Sequence, residues 1–202
     1  VSAYGVGLVY WLWNVHWLYL VTLPGFIGLS FFQAGYWCVL AYCVRAVRRR
    51  GWPLAVFAPL LFVGAEAMQG YLFTWFGWYY LAHSQYRLLP LIQMCDIFGV
   101  LGVSVLVAMV NGVAADWIVC VDQHRQDSRR LMSPRFYLPG AISTCIALVL
   151  IIGAVWYGRY RLMQTPDFVT DGPMVGSVQP NVPSHVKEEM GSADAILTDL
   201  IT

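Results

Sequence analysis

Residues 97–119 read IFGVLGVSVLVAMVNGVAADWIV, an apolar stretch whose one charged side chain, Asp116, lies near its C-terminal end. An α-helix rises about 1.5 Å per residue, so about 20 residues cross the ~30 Å hydrocarbon core of a bilayer. The stretch is long enough and predicts a membrane-spanning helix. Within it Ser104, Ala108 and Gly112 recur every fourth residue. They predict a face of small side chains that lets another helix approach closely.

The rest of the chain contains four further apolar stretches, at 3–23, 26–44, 53–73 and 138–157. Only 11% of the residues are charged, whereas a soluble domain carries about 25% charged residues to cover its surface. We therefore predict an all-α polytopic membrane bundle over residues 1–157, with about five transmembrane helices. The net charge of +1 argues against a nucleic-acid partner. The five cysteines have no metal-ligand spacing, and we predict neither a metal site nor a cofactor.

Arginines mark two links between the predicted spans as cytoplasmic, because positively charged loops stay inside. The link between the third and fourth predicted spans, at 74–96, contains a single arginine, Arg87. We therefore predict that the N-terminal end seen here is cytoplasmic and that everything after Tyr157 lies outside. The arginines of the inner links are Arg45, Arg48, Arg49 and Arg50 after the second span, and Arg125, Arg129, Arg130 and Arg135 after the fourth.

Glu66 is an acidic residue inside a predicted span. A charged residue at a helix centre costs about 2.5–3.5 kcal/mol on insertion scales, so it normally has a partner or a polar cavity. Gln69, one turn later on nearly the same face, is a candidate hydrogen-bond partner. Two interpretations of Glu66 stay open: a role beside the path of a lipid or peptide, and a role as a buried polar clamp.

Aromatic side chains crowd the predicted outer link, with Trp75, Trp78 and Tyr79 among them. Amphipathic rings collect at the headgroup level of membranes, so an interfacial belt is the default interpretation. A lipid-handling, substrate-binding surface is the alternative. Asn14 and Trp17 allow the same two interpretations. With Glu66, these five residues are the candidate substrate-binding residues of the chain.

The composition changes after the last span. We predict a linker at 158–172 and the start of an extracytoplasmic domain at 173–202. That start reads as a strand at 173–179, a turn at 180–183, and an amphipathic helix with Ser184 as its N-cap. Strand, loop and helix form the opening βα unit of an α/β domain. Because one such unit cannot bury its own apolar face, we expect more chain to follow. Because residue 1 is Val, we also expect the natural start to be missing, so the sequence is expected to be a fragment at both ends.

Three motifs, in this order, resemble the apolipoprotein N-acyltransferase family of bacterial inner membranes. WNVHWLY at 13–19 is similar to an Asn-Trp-containing end of an early family helix. EAMQGYLFTWFGW at 66–78 is similar to a Glu-x-x-Arg helix that runs into a Phe-Pro-Trp loop. VQPNVP at 178–183, followed by Lys187, is similar to the strand and turn that open the family's nitrilase-like domain.

The chain departs from this pattern at three positions. Gln69 stands where the family usually has Arg, Gly77 where it has Pro, and Glu188 where Trp is frequent. The junction between helix and loop could therefore be built differently, and a changed acceptor is one possible result.

The resemblance implies a membrane bundle followed by a nitrilase-like (carbon–nitrogen hydrolase) domain in a multi-pass, monomeric inner-membrane enzyme without a cofactor. Such an enzyme moves a fatty acyl chain from a phospholipid, through a cysteine thioester, to the N-terminal amine of a diacylglyceryl-lipoprotein. The family's catalytic Glu, Lys and Cys would lie beyond Thr202, so no catalytic residue is assigned here and the fragment alone is predicted to be inactive. A non-catalytic membrane anchor or scaffold, or a transporter, is the alternative.

Overall fold

The structure, a computed structural model, describes residues 2–71, 76–126, 134–164, 172–174 and 176. All regular secondary structure among them is helical. The helices are α1 (Ser2–Asn14), α2 (Leu23–Arg49), α3 (Leu54–Tyr71), α4 (Leu89–Ile92), α5 (Cys95–Gln126) and α6 (Pro134–Met163), with 3-10 helices at His16–Leu20 and Leu81–Gln85.

The chain divides into two compact units, Val1–Pro166 and Asp167–Thr202, and the described helices all belong to the first. The βα unit predicted at 173–202 lies outside the described residues, apart from a few positions without regular secondary structure. The predicted linker begins within α6, which continues to Met163.

Four helices of the described chain are long and apolar enough to cross a membrane. They correspond to the second to fifth predicted spans and run over Leu23–Arg49, Leu54–Tyr71, Cys95–Asp122 and Gly140–Met163. The first predicted span, at 3–23, is wrong as one continuous helix, because the helix there ends at Asn14 and a 3-10 helix follows over His16–Leu20.

The end of α1 has a local cause. The Asn14 side chain turns back and donates a hydrogen bond to the Tyr10 carbonyl at 2.8 Å, and a 3-10 helix follows. Thr22 then takes an extended backbone conformation, and its hydroxyl oxygen accepts a hydrogen bond from the Gly25 N–H at 3.4 Å. This N-cap, with Pro24 in the first turn, begins α2 as a separate helix.

Among the described helices, α3 and α5 have the most extensive contact with each other. The predicted small-residue face is confirmed, since Ser104 and Ala108 are almost fully buried. A Cβ at Gly112 would overlap the Leu54 carbonyl oxygen and lie 2.8 Å from the Ala55 Cα. Only glycine therefore allows this approach of the two backbones.

Asp116 ties the same two helices together at the start of α3. Its two carboxylate oxygens accept hydrogen bonds from the Leu54 N–H at 3.0 Å and the Ala55 N–H at 2.9 Å. The first N–H groups of a helix have no partner within it, so α5 supplies the cap that α3 lacks. This carboxylate is a structural clamp at one end of the α3–α5 pair.

Candidate functional site

The segment Phe76–Tyr80 is attached to the last turns of α3 through Gln69. The Phe76 N–H donates to the Gln69 carbonyl at 3.1 Å, and the Gln69 side-chain Nε2 donates to the Trp78 carbonyl at 3.3 Å. Because Gln69 is 92% buried, these bonds are shielded from competing water. Gln69 thus holds the aromatic segment, which includes Gly77, against the helix.

Glu66, one turn earlier, holds the residues that follow. Its Oε1 accepts a hydrogen bond from the Leu81 N–H at 2.6 Å, and the Ser104 side chain of α5 interacts with the same carboxyl group. The Ser104 hydroxyl oxygen in turn accepts from the Ala82 N–H at 3.2 Å. Leu81 and Ala82 open the second 3-10 helix, so α3 and α5 together satisfy its first two N–H groups.

The second carboxylate oxygen of Glu66 is different. Oε2 is buried and has no partner of normal hydrogen-bond geometry within the described residues. The interpretation of Glu66 as a buried polar clamp therefore accounts for one oxygen only. The other oxygen can accept a further hydrogen bond from a donor.

Three of the predicted aromatic candidates meet on one side of this clamp. The Trp17 Nε1 donates a hydrogen bond to the Tyr79 hydroxyl at 2.9 Å, and the Trp17 and Trp78 ring centroids are 5.3 Å apart. The Trp11 ring packs edge-on against Tyr79, at 6.3 Å between centroids. Trp78 remains 56% exposed, so this aromatic cluster presents one large amphipathic ring to its surroundings.

The aromatic cluster requires an unusual backbone at Tyr79. Its φ is +63°, in the left-handed region that non-glycine residues seldom adopt. The hydrogen bond from Trp17 and the edge contact with Trp11 hold the Tyr79 side chain in place and so stabilise this backbone conformation.

Tyr80 closes the segment by packing against α3. Its hydroxyl lies so close to Gly70 that a Cβ there would overlap it, and a Cβ at Gly77 would lie 3.3 Å from the same oxygen. Its ring stacks on His83, at 5.5 Å between centroids. Burial raises the pKa of the Tyr80 phenol, with smaller contributions from Tyr71 and Glu66, so its hydroxyl is protonated at neutral pH.

The structure thus brings Glu66, Trp17, Trp78 and Tyr79 into one region, between α3 and the ends of α1 and α2. The Asn14 side chain makes its described hydrogen bond within α1, to the Tyr10 carbonyl. Trp75 lies outside the described residues. Sequence reasoning missed Tyr10, Trp11 and Tyr36, which line the same cavity as Glu66. It also missed Gln33 of α2, which is fully buried and was signalled by its place inside an apolar stretch.

This arrangement can bind and orient a molecule through hydrogen bonds and aromatic contacts. In the described part of the chain no group of three or more His, Cys, Asp or Glu residues could hold a metal ion. The Cys95 side chain is packed against the apolar core.

Comparison with known proteins identifies the family. The model of the apolipoprotein N-acyltransferase N-terminal domain matches residues 1–113, which include α1 to α3 and the aromatic cluster. The chain belongs to the apolipoprotein N-acyltransferase family. The resemblance drawn from the three sequence motifs is therefore confirmed.

Two curated relatives carry the name apolipoprotein N-acyltransferase. The protein from Geobacter metallireducens is 34% identical over 93% of this chain, and the one from Nitrosomonas europaea is 29% identical over 76% of it. The aligned regions make up 34% and 27% of those proteins, so the chain spans about a third of their length. No solved structure matches the chain.

Proposed function

We propose that this chain is the membrane part of an enzyme that acylates the N-terminal amine of a lipoprotein. In the first step a cysteine thiolate attacks the ester carbonyl of a phospholipid; a C–S bond forms, the C–O bond breaks, and the lysophospholipid leaves after taking up a proton. In the second step the amine attacks the thioester; a C–N bond forms, the C–S bond breaks, and the proton lost by the amine regenerates the thiol. No residue of this chain is assigned to either step.

The observation that carries the proposal is the aromatic cluster at the end of α3. It lies within the region that matches the family's N-terminal domain. The buried side chains of Gln69 and Glu66 hold the backbone of this segment through hydrogen bonds to Trp78 and Leu81. In this proposal Trp17, Trp78 and Tyr79 contact the lipid-bearing substrates. Trp75 is proposed as a further contact, and Asn14 supports the helix end beside them.

The proposed location is the bacterial inner membrane, with the aromatic cluster on the outer side. Arg48 and Arg49 occupy the last turn of α2, and Arg50 follows them, at the opposite end of the bundle from Trp78. Since arginine-rich links stay in the cytoplasm, this end faces inward. Cysteine accessibility tests the orientation: a thiol reagent that cannot cross membranes should label a cysteine placed at His83 and not one placed at Arg50.

The activity is tested with the complete gene product, which is expected to contain the nitrilase-like domain with its Glu, Lys and Cys. Cells depleted of their own enzyme should regain triacylated lipoproteins, seen by mass spectrometry as the mass of one added acyl chain. If the complete protein is stably expressed and leaves lipoproteins diacylated, the chain is better described as a non-catalytic anchor or a transporter.

The role of the aromatic cluster is tested by Trp78→Ala. This variant keeps the Trp78 carbonyl that binds Gln69, so it removes the exposed ring without releasing the segment. It should lower the acylation rate about twofold to tenfold, because an aromatic contact is worth about 0.5–1.5 kcal/mol. Trp13→Ala is the matched control, since Trp13 is 80% exposed on α1. Equal rates for the two variants would rule out a substrate contact at Trp78.

A further inference from the structure

A small cavity with several polar atoms in its wall lies between α1, α2, α3 and the start of the second 3-10 helix. Its volume is about 70 Å³, and Trp11, Tyr36, Glu66 and Gln69 are among the residues that line it. Trp11 is 97% buried and Glu66 is 93% buried. Both polar side chains are therefore shielded from bulk water.

Three polar atoms of these lining residues lack a partner. Within the described part of the chain, the Trp11 Nε1, the Tyr36 hydroxyl and the Glu66 Oε2 are buried without a hydrogen bond. A buried donor or acceptor without a partner is destabilising, and natural proteins usually satisfy such groups. The three atoms supply one donor, one acceptor and one hydroxyl that can serve as either. They fit a ligand that both donates and accepts hydrogen bonds.

An apolar groove between α2 and α3 adjoins this cavity. Its volume is about 560 Å³, and it shares Tyr36, Leu40 and Ala65 with the cavity. Along α2 it extends from Phe32 to Cys43, a rise of about 16 Å, which is close to half of the ~30 Å hydrocarbon core. The groove thus has the length of an acyl chain in one leaflet.

Two glycines make room for this groove. Gly35 of α2 and Gly64 of α3 both line it, and a Cβ at either position would meet nothing within 4 Å. The groove is open to the surroundings of the bundle, since its lining residues Phe32, Val39 and Met68 are 43–58% exposed. A lipid chain can therefore enter it sideways from the bilayer.

We propose that the cavity and the groove together bind one acyl lipid with a small, uncharged, hydroxyl-bearing head, of the monoacylglycerol or diacylglycerol class. Its chain lies between α2 and α3. Its hydroxyl donates to the Glu66 Oε2, and its head oxygens accept from the Trp11 Nε1–H and the Tyr36 hydroxyl. Among the described lining residues none is basic, so a phosphate beside the Glu66 carboxyl group would be unfavourable. The small volume of the cavity excludes larger heads.

The test uses the complete protein in lipid nanodiscs and a monoacylglycerol with a photoreactive diazirine in its chain. Cross-links should map to 32–43 of α2 and 61–68 of α3. Gly64→Leu should lower this labelling about tenfold, because the new side chain fills the groove. Gly28→Leu is the matched control: a Cβ at Gly28 of α2 also meets nothing within 4 Å, but Gly28 is not among the groove residues, so labelling should be unchanged.

Recognition of the lipid head group is tested by competition, with the protein that carries no substitution. Unlabelled monoacylglycerol should displace the probe about tenfold better than its dimethyl ether, which keeps the acceptors and loses the donor for Glu66. Gly35→Leu repeats the groove test if Gly64→Leu does not fold. Labelling at background level, as expected if another segment of the complete protein fills the groove, would overturn the proposal. So would equal labelling of Gly64→Leu and Gly28→Leu, or equal competition by the ether. Because binding requires no acyl transfer, these outcomes are independent of the proposed enzyme activity.

Discussion

The contact between Gly70 and the Tyr80 hydroxyl gives the sharpest test of how the aromatic segment is held. Gly70→Ala adds a Cβ that overlaps this hydroxyl. The Tyr80 ring cannot swing away freely, because it is 92% buried and stacks on His83. Overpacking of this kind costs about 1–3 kcal/mol. Gly64→Ala, on the same helix, adds a Cβ in open space and should gain up to about 1 kcal/mol from helix propensity.

The two variants should therefore differ by at least about 1–3 kcal/mol in the free energy of unfolding. This can be measured for the complete protein by titrating mixed micelles with a denaturing detergent and following tryptophan fluorescence. Tyr80→Phe added to Gly70→Ala removes the overlapping oxygen and leaves the ring carbon Cζ as the nearest atom, at 3.1 Å. The double variant should recover most of the loss. Equal stabilities of Gly70→Ala and Gly64→Ala would refute the described packing of Tyr80.

Further predictions concern the polar and close-packed positions of α3 and α5. Glu66→Leu should release the segment after the aromatic cluster and increase its hydrogen exchange, whereas Glu66→Gln keeps an acceptor oxygen and should retain most of the protection. Asp116→Ala removes the cap of α3 and should cost about 1.5–3 kcal/mol in unfolding free energy, with Asp116→Asn intermediate. Gly112→Val should lower the yield of folded protein in a size-exclusion assay, because its side chain overlaps the Leu54 carbonyl; Gly153→Val, in open space, should not.

Hydropathy was sufficient to predict four of the spans, because lipid exposure demands long apolar stretches whatever the packing. It failed at 3–23, where the apolar composition continues while the helix stops. The stop depends on Asn14 bonding to its own helix and on Thr22 capping the next one. Asn and Thr-x-Pro are known helix-end signals, so this boundary was predictable from local chemistry although not from hydropathy.

The candidate site was predictable in its residue types and not in its contacts. Glu66 was expected to find a side-chain partner, but its Oε1 binds the backbone N–H of Leu81, which any residue could offer. Trp17 and Tyr79 are 62 residues apart in the chain, and no local pattern pairs them. The Ser104 spacing correctly predicted close helix packing, yet gave no sign that its hydroxyl would also cap the second 3-10 helix.

The left-handed backbone of Tyr79 costs about as much free energy as the contacts of its side chain contribute. A non-glycine residue in this region costs about 1–3 kcal/mol. The hydrogen bond from Trp17 returns about 0.5–1.5 kcal/mol and the edge contact with Trp11 a similar amount. Because these contributions offset each other, releasing the Tyr79 side chain alone changes the free energy little. A proposed substrate could therefore take over the Trp17 indole N–H at a small cost, while Gln69 still holds the Trp78 backbone.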